Sequence, residues 1–151
     1  MGGTRFVLLD CGEDKPDGTE VYYGMNDFTQ YRKDQAQFLQ TELAGPEFTA
    51  AARKVLIHHI PIYGNAVAKF NPCKELWQPH LAAAGFDVSL NGHLHRYELI
   101  EKGASENNFP VVIGGGYKEE NATVMILKKT GERLNLRVVH AKGNTLLDRD
   151  L

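Results

Sequence analysis

Two stretches decide how this chain folds: Val55-Leu56-Ile57-His58-His59-Ile60-Pro61-Ile62-Tyr63-Gly64, and Asn91-Gly92-His93-Leu94-His95-Arg96-Tyr97-Glu98. Residues 55–59 form a short, β-branched and aliphatic run that reads as a buried strand closed by Pro61. Residues 86–90 read the same way and end at Asn91-Gly92. Between the two lies a helical pattern. It starts at Asn71-Pro72, carries Leu76, Trp77, Leu81 and Ala84 as its apolar stripe, and takes Gly85 as its C-cap. Strand, helix, strand in that order predicts parallel strands joined by a helical crossover.

Working outward, residues 5–11 read as one more buried strand, ended by Cys11-Gly12. Residues 12–26 are polar and turn-rich, with Lys15-Pro16-Asp17-Gly18 as the clearest turn signal. Residues 27–43 read as an amphipathic helix with Asp27 as N-cap and Phe28, Tyr31, Phe38, Leu39 and Leu43 at helical spacing. Gly45-Pro46 stops it, and a short helical segment over 47–52 follows. The second half changes character: residues 97–101, 109–113, 122–128 and 134–140 read as strands, the last two joined in a hairpin through Thr130-Gly131. The expected fold class is α/β, with a β-α-β-α-β start followed by mainly antiparallel strands, in a single unit over residues 1–151.

Composition narrows the function classes. Apolar residues make up 42% and charged residues 24%, with 17 Lys+Arg against 19 Asp+Glu, which is ordinary globular composition. With no basic run there is no electrostatic footprint for nucleic acid. No apolar stretch approaches the roughly 20 residues a membrane span needs. The two cysteines, Cys11 and Cys73, cannot make a disulfide framework and read as buried small hydrophobes. No signal-type leader precedes the apolar run at Phe6, so a cytoplasmic location follows if Met1 is the native start.

The histidines carry the chemistry. Four of the six fall in two tight groups, His58-His59 and His93-x-His95, each at the end of an expected strand. In an open α/β sheet, ligands bind beyond the carboxyl ends of the strands, so both groups should arrive at one edge. Imidazole binds first-row divalent metals well, and Gly92 would permit a sharp turn that aims His93 and His95 into one cavity. The plain alternative is that these are hydrogen-bonded core or surface residues, for a lone H-x-H pair is a weak signal. His80 and His140 read as surface residues. Gly114-Gly115-Gly116 reads as a tight turn that lets backbone approach the same edge.

His59-Ile60-Pro61 after a central strand, and Gly92-His93-Leu94-His95 after the next, resemble the last two motifs of the calcineurin-like metallophosphoesterases, whose relatives include the purple acid phosphatases. Phe6-Val7-Leu8-Leu9-Asp10 resembles the family strand that precedes them, and the triple glycine resembles the turn that follows. The family's first three motifs, D-x-H, G-D and G-N-H, do not occur: the two Gly-Asn pairs, at Gly64 and Gly143, are followed by Ala66 and Thr145. The resemblance therefore implies the C-terminal half of the catalytic domain, half of a four-layer α/β/β/α sandwich, with Met1 an internal start and an extracytoplasmic full-length parent left open.

The resemblance further implies a phosphatase-type activity on phosphate esters. Divalent metal ions (Fe, Mn or Zn) would activate a water, with His59 and His93 on one ion and His95 on the other. Adjacent strand residues point to opposite faces, so only one of His58 and His59 reaches a metal. Counting back from Pro61 gives His59, and counting forward from Val55 gives His58. We favour His59 because the proline fixes the strand end, and His58 is then a core or supporting residue. Tyr97 and Glu98 follow as supporting or substrate contacts, or simply begin a strand. A truncated site is expected to be nearly inactive. The missing strands should leave an exposed edge, at residues 5–11 or 55–59, through which a homo-oligomer forms. Two other readings remain open: a non-catalytic interaction module that keeps the fold, and a mononuclear zinc protein using the three histidines.

Overall fold

The structure, a computed structural model, describes residues 3–64 and 70–151. Met1, Gly2 and residues 65–69 lie outside the described residues. The order of elements is β1 (Thr4–Leu8), α1 (Thr29–Ala44), α2 (Pro46–Thr49), β2 (Arg53–Ile57), α3 (Pro72–Leu81), β3 (Val88–Asn91), β4 (Glu98–Ile100), β5 (Val111–Ile113), β6 (Thr123–Thr130), β7 (Arg133–His140) and β8 (Thr145–Asp150). The fold is α/β. Strands β1, β2, β3 and β5 run parallel, and β4 adds antiparallel to β5, giving the sheet order β1-β2-β3-β5-β4. A second sheet, β6-β7-β8, is antiparallel throughout.

The alternation along the strands explains the layering. Side chains on a strand point to opposite faces in turn. Val55, Val88 and Val112 face the second sheet and pack with Leu134, Leu136 and Val138. Leu56, Val111 and Ile113 face the other way, onto Ala36 and Leu39 of α1 and Trp77 and Leu81 of α3. Helices, parallel-containing sheet and antiparallel sheet thus form three layers with a core on each side of the middle one. A strand apolar on both faces is what such a central layer requires.

Several expectations are refined. Asp27 Oδ1 accepts from Thr29 N, the first residue of α1, at 3.3 Å, but Asp27 stands one place before the N-cap position. Phe28 occupies that position, and Asp17 Oδ2 accepts from Phe28 N at 3.0 Å and Thr29 Oγ1 at 2.9 Å. Asp17 can do this because Arg32, only 3% exposed, holds its other oxygen at 3.2 Å. Asn71 does cap α3, accepting from Lys74 N at 3.3 Å. That helix ends at Ala82 rather than at Gly85. The strand β8 was not legible, because it is largely polar and mostly exposed. Strand β2 is no edge: it is hydrogen-bonded to β1 on one side and β3 on the other. Only β1, of the two strands expected to offer an edge, has one. Among the described residues no helix is long and apolar enough to cross a membrane.

Candidate functional site

Because β1, β2, β3 and β5 are parallel, their carboxyl ends share one edge. The segments that follow them carry Asp14, His58 and His59, His93 and His95, and the triple glycine respectively. This is the edge at which open α/β sheets hold ligands.

His58 and His59 separate as neighbours at a strand end must. His58 is 3% exposed, stands edge-on to Trp77, and is held by hydrogen bonds on both ring nitrogens. Its Nδ1 lies 2.8 Å from the Ile60 carbonyl oxygen and 3.0 Å from Asn91 Nδ2. Its Nε2 lies 3.3 Å from Ser89 Oγ, which donates to Asn91 Oδ1 at 2.9 Å. Asn91 Nδ2 donates to the His58 carbonyl at 2.8 Å. Burial pushes the His58 imidazole down to about 4, so it is neutral at pH 7. Both nitrogens are used, and His58 locks β2 to β3. His59 is exposed.

The ring of His59 stands edge-to-face with that of His93, their centres 5.4 Å apart. Gly92 makes that contact possible in a way the sequence did not suggest. Its φ is not in the left-handed region; the residues that are there are His93 at 69° and His95 at 54°. What Gly92 supplies is space, since a Cβ on it would come 3.1 Å from His59 Nδ1. The turn is therefore made by the two histidines themselves, in a conformation that non-glycine residues adopt at a cost.

The residue that sequence reading missed is Asp14. Its Oδ2 lies 3.6 Å from His93 Nε2, and its Oδ1 accepts from Lys15 Nζ at 2.6 Å. Lys15, and then His93, hold the Asp14 carboxyl below the usual carboxylate range. Burial lowers the His93 imidazole, and Asp14 works in the opposite direction. The available signal was an acidic pair, Glu13-Asp14, just past the first strand of a parallel set. Arg32 steadies this segment, donating to the carbonyls of Cys11 at 3.0 Å and Glu13 at 3.2 Å.

His95 faces a different neighbour. Its ring is 5.5 Å from that of Tyr117, and its carbonyl accepts from Asn121 Nδ2 at 2.7 Å. The triple glycine makes room here. A Cβ on Gly116 would come 2.8 Å from the His95 Cβ, and one on Gly115 would collide with the Asn121 carbonyl. Tyr97 packs into the core between the two sheets, and Glu98 pairs with Arg96 at 3.3 Å beside Gly64. Tyr97 and Glu98 thus point to opposite faces, and the core position of Tyr97 is that of an ordinary strand start. His80 is half-buried on α3, and His140 Nε2 donates to the Glu120 carbonyl at 3.0 Å.

Imidazole and carboxylate are donors that Fe, Mn and Zn accept. The 3.6 Å between Asp14 Oδ2 and His93 Nε2 is close to the roughly 3.5 Å between two donors that share one ion at metal–ligand distances of ~2.0–2.2 Å. The set is nevertheless open. Among the described residues no three His, Cys, Asp or Glu side chains lie where they could hold one ion. The described residues as they stand do not enclose a metal.

No protein-family model matches the chain, and no curated protein does. Solved structures match its fold. One, described as GAP50, the anchor in the inner membrane complex of Plasmodium, superposes with a TM-score of 0.63 at 18% identity, over 98% of this chain and 49% of that one. Another, a conserved protein of Streptococcus pneumoniae described as a predicted phosphoesterase, gives a TM-score of 0.37 at 7% identity, over 97% of this chain and 95% of that one. The chain spans about half the length of the GAP50 structure, and at this identity what the two share is the fold.

Proposed function

We propose that this chain carries the C-terminal half of a metal-dependent phosphoesterase site, with His59, His93 and His95 as donors toward divalent metal and a phosphate ester as substrate. The observation that carries this reading is the arrangement around Gly92. Two histidines sit in left-handed backbone beside a third whose ring occupies the space a side chain at 92 would need. Strain of this kind persists where the surrounding structure enforces it, and it clusters at sites that bind or react. Asp14 adds a carboxylate to the His93 side of the same edge. The open donor set and the half-length match to a larger structure both agree with a site shared between this chain and a further segment.

Hydrolysis of a chromogenic phosphate monoester and diester, with manganese, iron or zinc added, tests the reading. The chain alone is expected to turn over far more slowly than about 1 per second, the low end of ordinary enzyme rates. Whatever metal-dependent rate remains is expected to vanish in His93→Ala. Turnover at ordinary rates would mean that these donors suffice by themselves.

A second reading is an interaction module that keeps the fold without the chemistry. The likeness to a structure described as an anchor fits it. It differs in one measurable respect: metal uptake by such a module owes nothing to His59 or His93.

A further inference from the structure

We propose that Cys11 and Cys73 are a dithiol that closes to an intramolecular disulfide when the chain meets a small dialkyl disulfide such as glutathione disulfide. They are the only cysteines in the sequence, and they stand far apart along it. The fold nevertheless brings them together, one just past the end of β1 and the other in the first turn of α3. Both are buried in the same core cluster. Cys73 Sγ also lies 3.8 Å from the Cys11 carbonyl oxygen, and Cys11 Sγ lies 3.5 Å from that of Ile60.

A buried thiol in apolar surroundings is ordinarily inert. Two features distinguish Cys73. It sits at the start of a capped ten-residue helix, where the orphan N–H groups favour an anion. The buried Arg32 guanidinium, anchored on the Cys11 carbonyl, adds positive charge. The neighbouring Cys11 holds the Cys73 thiol below its ordinary range, with Arg32 acting the same way. Cys11 itself is held above its ordinary range by the neighbouring Cys73 and by burial. One sulfur is thus the nucleophile and the other the resolving thiol.

The exchange balances as follows. The Cys73 thiolate attacks one sulfur of the reagent, forms a mixed disulfide and expels one thiolate. That thiolate takes the proton of Cys11. The Cys11 thiolate then attacks Cys73 Sγ, closing the protein disulfide and expelling the second thiolate, which is protonated from solvent. Two protein thiols are oxidised, and one reagent disulfide is reduced to two thiols. Because both sulfurs are nearly inaccessible, the reaction proceeds through local opening of the segments over them. The bond ties the segment that carries Asp14 to the start of α3.

Intact mass and thiol titration after incubation with glutathione disulfide test this. The wild-type chain is expected to lose both thiols together, become two hydrogen atoms lighter and retain no glutathione. Cys11→Ser is expected to trap glutathione on Cys73, whereas Cys73→Ser is expected to leave Cys11 unmodified over the same time. Circular dichroism checks that each variant is folded, and if either is not, the wild-type mass decides alone. A wild-type chain that keeps both thiols, retains glutathione, or is linked to a second chain would overturn the proposal.

Discussion

Asp14 Oδ2 stands 3.6 Å from His93 Nε2, so the segment after β1 meets the segment after β3 across the carboxyl edge of the sheet. The carboxylate favours protonated His93, while burial, which is the larger influence, opposes it. Asp14→Asn removes the favourable part and leaves the burial. The His93 titration, followed by NMR of the ring protons, is expected to move to lower pH in that variant. A titration that stays put or moves up would mean that the two groups do not face each other in solution.

His58 predicts an acid limb in stability. Its pKa is about 4 in the folded chain and near 6.5 when unfolded, so between those values the unfolded state binds more protons. Stability is therefore full above pH 6.5 and falls as the pH drops toward 4, by about 3 kcal/mol over the whole window. Lost carboxylate pairing, as at Glu42 or Asp17, contributes mainly at lower pH. Denaturant unfolding at a series of pH values is expected to show this fall in the wild type. His58→Gln should start from lower stability and lose most of the slope. Parallel curves for the two proteins would contradict the neutral, buried His58.

The glycines at the site differ in what they tolerate. Gly92→Ala brings a Cβ against a ring that can turn away, with no left-handed backbone to strain, and is expected to cost about 1 kcal/mol or less while displacing His59. Gly115→Ala drives a Cβ into the Asn121 backbone, which cannot turn away, and is expected to cost at least about 3 kcal/mol or to prevent folding. Thermal unfolding, together with the His59 ring resonances, separates the two effects. Equal destabilisation by both substitutions would be the wrong result.

The parts of the fold that were legible are those in which one physical signal dominates. The β1-α1-β2-α3-β3 order follows from apolar runs of strand length alternating with helical stripes, and the hairpin at Gly131 follows from its turn chemistry. Strand β8 was hidden because its polar residues show no apolar alternation, and their pairing with β7, as Asn135 with Asp148 and Arg133 with Asp150, depends on the fold. That β2 lies inside the sheet depends on partners distant in sequence, as does the hold of Asp17 on Phe28 and Thr29 at the start of α1. At the site, His59, His93 and His95 announced themselves by residue type and strand-end position. Asp14 did not, because only the parallel arrangement of β1 and β3 brings its segment to His93. Gly92 was read as a hinge when its contribution is room for the His59 ring, a contact that local pattern does not encode.

The central claim is that His59 and His93 face a divalent metal in an incomplete site. Its most direct test is a calorimetric titration of zinc and of manganese into the chelator-treated chain and into His59→Ala and His93→Ala. The account predicts weak uptake of at most one ion per chain by the wild type, lost in both variants. No uptake at all, uptake that survives both substitutions, or two tightly held ions on the lone chain would contradict it.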